Sequence, residues 1–402
     1  MKTILGAISM HRARKSIFLV FVPLLIIIIA IILFTSLHTV DAFPPIALHA
    51  PIVPTRTIAS HKVSSSAFAN GPYSVRGNTI LDANGNPYLF HGIGRDSLEY
   101  SCSGDGHLDA QELAYMGSGT NRYAITYWGA NTVRLPLSEG IWLNGQSSQS
   151  CSSTQYQALV KQTVDALTAL RLNVILDLQW SDAGGQSGQA GGTWATPDTD
   201  SVTFWQQVAS IYQSYSNVLF ELFNEPHPNN WTCWQSACTV TDTSYSQDCG
   251  CNKTLTFTDV GMQALVNAVR ATGATNLVLV AGMDWGFDLS QIAAYPIQGA
   301  NIIYDTHPYP YAEKMPNSWD AAFGKISATY PVISAESGEY DCGTSFMGQL
   351  LAYFDAHHIS WIAWAWVVQG SQCGYPLLIQ DYRGTPAPGM GQLIYMHLRS
   401  YQ

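Results

Sequence analysis

Eight short apolar runs recur along the chain, at residues 88–93, 132–135, 174–178, 218–222, 277–281, 302–305, 332–335 and 361–365. Runs of this length with no polar alternation suit strands covered on both faces, which is the environment of a parallel sheet. Between them lie segments with apolar residues at three and four spacing, clearest at 156–170, 202–215, 259–271 and 346–357, and these read as amphipathic helices. Strand and helix therefore alternate, and eight such units in about 330 residues match an α/β fold of the (β/α)8 TIM-barrel type. The rival, a doubly wound open sheet, usually carries a phosphate-binding loop; neither a G-x-G-x-x-G after the first strand nor a Walker-type loop is present. Ahead of the first unit, residues 77–88 place the turn cluster Asp82-Ala83-Asn84-Gly85-Asn86-Pro87 between two apolar stretches. This predicts an N-terminal β-hairpin, placed to plug the bottom of the barrel.

The first 70 residues differ in kind. Residues 17–34 carry no charge, and Lys2, Arg12, Arg14 and Lys15 precede them, the pattern of a membrane-inserting segment with its positive side inside. Val40-Asp41-Ala42 puts small residues where a signal peptidase cuts, so residues 1–42 read either as a cleaved signal peptide or as a retained membrane anchor, with a tether through 17–37. Both readings put the remainder outside the cell, secreted or held at the membrane. Residues 43–70, rich in Pro, Ser, Ala and Thr, read as a flexible linker, leaving a folded domain over 71–402. All eight cysteines fall beyond the linker, and an even number in an oxidising compartment favours disulfides that staple βα loops. Cys102 with Cys151 and Cys342 with Cys373 are plausible pairs, and Cys233, Cys238, Cys249 and Cys251 form a cluster able to pair within one loop. The net charge of -10 removes the electrostatic basis for holding a phosphate backbone, so nucleic acid is excluded as a partner.

In a barrel of this type chemistry sits at the carboxyl ends of the strands. The fourth run ends in Asn224-Glu225-Pro226-His227 and the seventh in Glu336, which places two carboxylates at one opening from opposite sides. Paired carboxylates suit glycoside hydrolysis, in which one protonates the departing oxygen and the other attacks the anomeric carbon or activates water.

Asn224-Glu225-Pro226, Val133-Arg134-Leu135-Pro136, His307-Pro308-Tyr309, Glu336 and Trp366, in this order and spacing, resemble glycoside hydrolase family 5 over residues 73–400. The fragments His91-Gly92-Ile93-Gly94-Arg95 with Glu99-Tyr100, and Asp381-Tyr382-Arg383-Gly384-Thr385-Pro386, look like those of its secreted bacterial endoglucanases and cellulases. The resemblance implies a retaining hydrolase of β-linked glucan, with Glu225 as acid and base and Glu336 as nucleophile. It also implies that Arg134 lies beside the nucleophile, Asn224 donates to the sugar 2-hydroxyl, Tyr309 bonds the nucleophile, His307 holds carboxylates or sugar, and Trp366 packs on a sugar ring. Each of three has a plain structural alternative: Arg134 a buried ion pair, His307 a satisfied structural histidine, Trp366 part of the barrel wall. Mannan, xyloglucan and exo-acting β-glucosidase roles stay open, as does a tethered carbohydrate-binding protein without turnover.

One departure stands out: where relatives carry a histidine after the third strand, this chain has Leu178-Gln179-Trp180. Glutamine bonds a sugar hydroxyl but does not titrate. Trp142, Trp180, Trp194, Trp231, Trp234 and Trp285 fall in predicted mouth loops and offer sugar platforms. Residues 101–112 have the Gly, apolar residue and Glu of a calcium loop, but serines at its first and third positions make a disulfide-held loop the preferred reading. The proposed chemistry needs no metal or cofactor, the expected partner is a β-linked polysaccharide or oligosaccharide, and a monomer is expected.

Overall fold

The computed structural model describes residues 69–117, 127–183, 195–242, 254–369 and 374–402. Eight strands close into one barrel: β1 (His91–Gly94), β2 (Thr132–Ser138), β3 (Asn173–Trp180), β4 (Val218–Glu221), β5 (Val278–Ala281), β6 (Ile302–Asp305), β7 (Val332–Ser337) and β8 (Ser360–Ala363). Each strand pairs in parallel with its sequence neighbours, and β8 closes onto β1. This is the (β/α)8 barrel, not the open sheet.

Parallel neighbours need a crossover, which helices Ser153–Ala169, Thr199–Tyr212, Met262–Ala271 and Ser345–His357 supply. The first begins at Ser152, whose hydroxyl accepts from the Gln155 N–H while the Gln155 side chain accepts from the Ser152 N–H. Its buried residues, Tyr156, Val160, Thr163, Val164 and Leu167, keep the three-and-four spacing and face the barrel wall.

Strand alternation sorts the barrel into layers. In β3, Val174, Leu176 and Leu178 pack outward under the helices, while Ile175 joins Leu219, Leu279, Ile303, Ile333 and Ile362 in an apolar interior floor. One step nearer the mouth, the same inward rows carry Arg134, Asp177, Glu221 and Asp305, all fully buried. A charged layer thus lies on an apolar one.

The N-terminal hairpin closes the floor. Ser74–Arg76 pairs antiparallel with Thr79–Leu81, and the reversal is at Gly77-Asn78, where Gly77 takes φ +60. The expected turn at 82–87 follows as a second reversal: Leu81 bridges Pro87 antiparallel, the Tyr88 N–H donates to the Ile80 carbonyl, and the Asp82 carboxylate accepts from the Asn84 and Asn86 N–H groups. Tyr73, Tyr88 and Phe90 pack with centroids 4.9–5.1 Å apart, Phe90 edge to face against both tyrosines, and seal the interior cluster from below.

Cys102–Cys151 and Cys233–Cys238 are disulfides, and Cys342 is also disulfide-bonded. Cys249, Cys251 and Cys373 lie outside the described residues, as do the apolar run at 17–34 and nearly all of the linker. Among the described residues, no helix is long and apolar enough to cross a membrane.

Candidate active site

Arg134 organises the mouth. It rises from β2 on the inward row, fully buried, and its Nε and Nη2 donate to the two Glu221 oxygens at 2.7 and 2.6 Å. The same Nη2 donates to Asn224 Oδ1 at 2.7 Å and lies 3.0 Å from Asp177 Oδ2; Nη1 donates to Glu336 Oε2 at 2.8 Å. One guanidinium therefore faces three carboxylates, and burial without it would leave them uncompensated. Burial alone would raise the Glu221 carboxyl, yet Arg134 and His307 together outweigh it and hold Glu221 down at about 2. Asp177 goes the other way, pushed well above the usual carboxylate range by burial and by its acidic neighbours, against the pull of Arg134.

Glu336 reaches the mouth through an irregularity. Ile333 and Ala335 already face the interior, so strict alternation would send Glu336 outward. The pairing of β7 with β8 shifts register between Ser334 and Ser337, and the carboxylate turns inward. There its Oε1 accepts from the Tyr309 hydroxyl at 2.7 Å, while Arg134 holds Oε2. Burial raises its pKa and the Glu225 charge adds to this, with Arg134 and Tyr309 opposing.

Glu225 stands four residues past the end of β4, held by the Asn224 N–H bonding to the Leu178 carbonyl. His307 Nδ1 lies 3.2 Å from Glu225 Oε1, and its Nε2 is 3.1 Å from Asp305 Oδ2. Burial would lower the His307 pKa, but Asp305, Glu221 and Glu225 raise it well above the usual histidine range. One oxygen each of Glu225 and Glu336 and a nitrogen of His307 all lie within 4.8 Å of one another.

These groups line a cleft of about 540 Å³, together with Gln179, Tyr100, Trp285, Tyr311, Trp364 and Tyr375. Gln179 Oε1 is buried and has no hydrogen-bond partner, so its acceptor is left for a ligand.

The chain matches the family model for cellulase (glycosyl hydrolase family 5) over residues 112–370. It belongs to glycosyl hydrolase family 5. Its curated relatives include an endoglucanase of Clostridium saccharobutylicum, 22% identical over 304 residues that cover 73% of this chain and 57% of that one. Endoglucanase EG-II of Hypocrea jecorina is 25% identical over 272 residues, 59% of this chain and 58% of that one. The chain thus spans a little over half the length of these two relatives. A beta-glucanase of Saccharophagus degradans, solved in complex with cellotetraose, shares the fold with a TM-score of 0.61 at 22% identity, over 84% of this chain and 96% of that one.

Against the family-based expectations, two tryptophans are placed differently. Trp366 is wholly buried behind the wall, its ring against Trp128 and its Nε1 donating to Glu112 Oε1 at 2.9 Å. The side chain in the cleft is Trp364, whose Nε1 donates to the Tyr375 hydroxyl at 2.9 Å. β8 ends at Ala363, so strand alternation no longer decides which residue beyond it faces the mouth. Trp180 is also buried, donating to Ser138 Oγ at 3.2 Å and backing the Tyr100 ring rather than lining the cleft. Trp142, Trp231 and Trp234 are packing residues, Trp285 lines the cleft, and Trp194 lies outside the described residues.

The calcium-like loop is held by a cation of the chain itself. Arg95 Nη2 donates to both Asp105 oxygens at 3.0 and 2.9 Å, and its Nε is 2.9 Å from Glu112 Oε1. Sequence reasoning missed Glu221, Asp177 and Asp305; a lone acid inside an otherwise apolar strand was the available signal, because such a charge folds only against a partner.

Proposed function

We propose that this protein is an exported, retaining endo-β-1,4-glucanase. The observation that carries the reading is the approach of Glu225 and Glu336, with an oxygen of each within 4.8 Å, across a cleft able to hold sugars. Retaining enzymes keep their carboxyl groups roughly 5–5.5 Å apart, whereas inverting ones need about 6.5–9.5 Å to admit a water.

In the first step Glu225 gives its proton to the glycosidic oxygen as a Glu336 oxygen attacks the anomeric carbon from the opposite face. The C–O bond to the leaving sugar breaks and a glycosyl ester of Glu336 forms. Water then gives a proton to Glu225 while its oxygen bonds to the same carbon, and the ester breaks. Arg134 and Tyr309 hold the two Glu336 oxygens and stabilise the carboxylate as it leaves. Asn224 spends its Oδ1 on Arg134, which leaves its amide N–H groups for a sugar hydroxyl.

Aromatic faces on both sides of the carboxylates support attack within a chain. Tyr100, Trp364 and Tyr375 lie near β1 and β8, while Trp285 and Tyr311 follow β5 and β6 across the barrel. Pyranose C–H faces pack on such rings, and a neutral polymer suits an acidic protein. Export is proposed from the apolar run at 17–34 and the disulfides. Purified protein should release oligomers of mixed length from soluble cellulose derivatives, with the β-anomer appearing first in the proton NMR spectrum. Glucose alone from chain ends would point to exo action, release from mannan or xyloglucan in preference to cellulose would reassign the substrate, and no release from any of them would leave a binding protein.

The pH dependence follows from Glu336, which must be ionised to attack. Since burial raises its pKa, kcat/KM is expected to fall with decreasing pH on a limb above 4.5, the ordinary Glu value. A limb below 4.5 in a pH–rate profile would contradict this environment.

A further inference from the structure

After β5 the backbone makes a tight reversal, with bridges from Gly282 to Gly286 and from Met283 to Asp288. Its tip holds three successive left-handed residues, Asp284 at φ 58, Trp285 at φ 54 and Gly286 at φ 76. Only the glycine adopts that region freely, so the other two persist because neighbours hold them. Gly286 needs its missing side chain, because a Cβ there would meet the His307 ring at 3.0 Å. The reversal presents Trp285, 48% exposed, over the cleft, stacked on His227 with centroids 4.4 Å apart and 21° between planes. His227 lies two residues past Glu225, the proposed acid, and Trp285 stands across the barrel from Tyr100, Trp364 and Tyr375.

What holds this reversal is a buried lysine. Lys314, only 4% exposed, comes from the short 3-10 turn Ala312–Lys314 and donates from Nζ to the Asp284 carbonyl at 2.6 Å. Asp284 Oδ2 is 3.5 Å away, and the ammonium lies over Phe287, Trp285 and Tyr311 at 5.1, 5.7 and 5.9 Å. The lysine is itself fixed, since its carbonyl accepts from Trp319 Nε1 at 2.9 Å. A cation fixed at both ends thus sits against the strained carbonyl and under the platform ring.

We propose that Lys314 is the positioning residue for the leaving-group side of the cleft, holding Trp285 flat for the sugars that depart. This rests on the glucanase reading above. Lys314 does not touch the reacting bond; it acts through Trp285, by making the left-handed Asp284-Trp285 conformation the stable one.

The test compares K314M, K314R, W285A and K314M/D284G on two substrates. Cellopentaose needs the platform, while β-cellobiosyl fluoride has no leaving sugar. K314M and W285A are expected to raise KM for cellopentaose about tenfold with kcat changed far less, and K314M to leave kcat/KM on the fluoride near wild type. K314R should stay close to wild type. In the double variant, glycine at 284 removes one backbone penalty and should recover part of the lost affinity. Wild-type KM in K314M, with W285A impaired, would overturn the role of the lysine alone. Equal loss on the fluoride would also overturn it, because the residue would then support the whole fold. If W285A itself binds cellopentaose normally, the platform reading falls first.

Discussion

Glu336→Gln is expected to lower turnover of β-glucan by a factor on the order of 10⁴ or more while leaving oligosaccharide binding in place. The amide keeps the size of the side chain and one acceptor, toward Arg134, with its NH2 turned to the Tyr309 hydroxyl oxygen, but it cannot form the glycosyl ester. Glu225→Ala should behave differently, with a loss that depends on the leaving group: large for cellulose, small for an activated aryl glycoside that departs without a proton. Added azide separates the two roles. In the Glu225 variant azide should resolve the ester to a β-glycosyl azide; in Glu336→Ala it should attack the intact bond and give the α-product. Reversed stereochemistry would exchange the two assignments, and unchanged turnover in either variant would remove the mechanism.

Arg134→Met should be among the most destabilising substitutions in the chain, costing about 3–5 kcal/mol in urea unfolding or preventing folding outright. Methionine fills much of the space yet leaves Asp177, Glu221 and Glu336 facing one another without their shared cation. Arg134→Lys keeps the charge but cannot span Glu221 and Glu336 together, so it should retain more stability than methionine and still lose activity. In an Arg134→Met protein that folds, the acid limb of kcat/KM should move up, because the Arg134 charge opposes the rise in the Glu336 pKa. An Arg134→Met protein as stable as wild type would mean that the charged layer is not ionised as the contacts imply.

The sequence makes the barrel legible because both faces of each strand are covered, so the runs are apolar throughout and the helices between them keep one stripe. Glu225 is readable at the end of its strand, since nothing apolar follows it. Glu336 is likewise readable from its place at the end of a run, but not how it turns in: alternation from Ile333 and Ala335 directs it outward, and a register shift, which depends on pairing with β8, brings it in. The same limit applies to Trp364 and Trp366, two residues apart just beyond a strand end, where tertiary partners such as Glu112 and Trp128 choose which one is buried. The turn cluster at 82–87 reverses the chain as its residues suggest, while the extra reversal at Gly77-Asn78, only two residues long, is the one a composition-based reading passes over. The pairing of Arg95 with the calcium-like loop is not readable, because the arginine lies outside the loop it neutralises.

The aromatic stopper beneath the barrel also decides the direction of approach. Residue 69 is bonded to the Arg171 carbonyl, just ahead of β3, so the chain enters at the sealed end, on the far side from the carboxylates. On the proposed glucanase reading, a long polymer would lie across the opposite rim, and cut fragments would leave sideways rather than through the molecule.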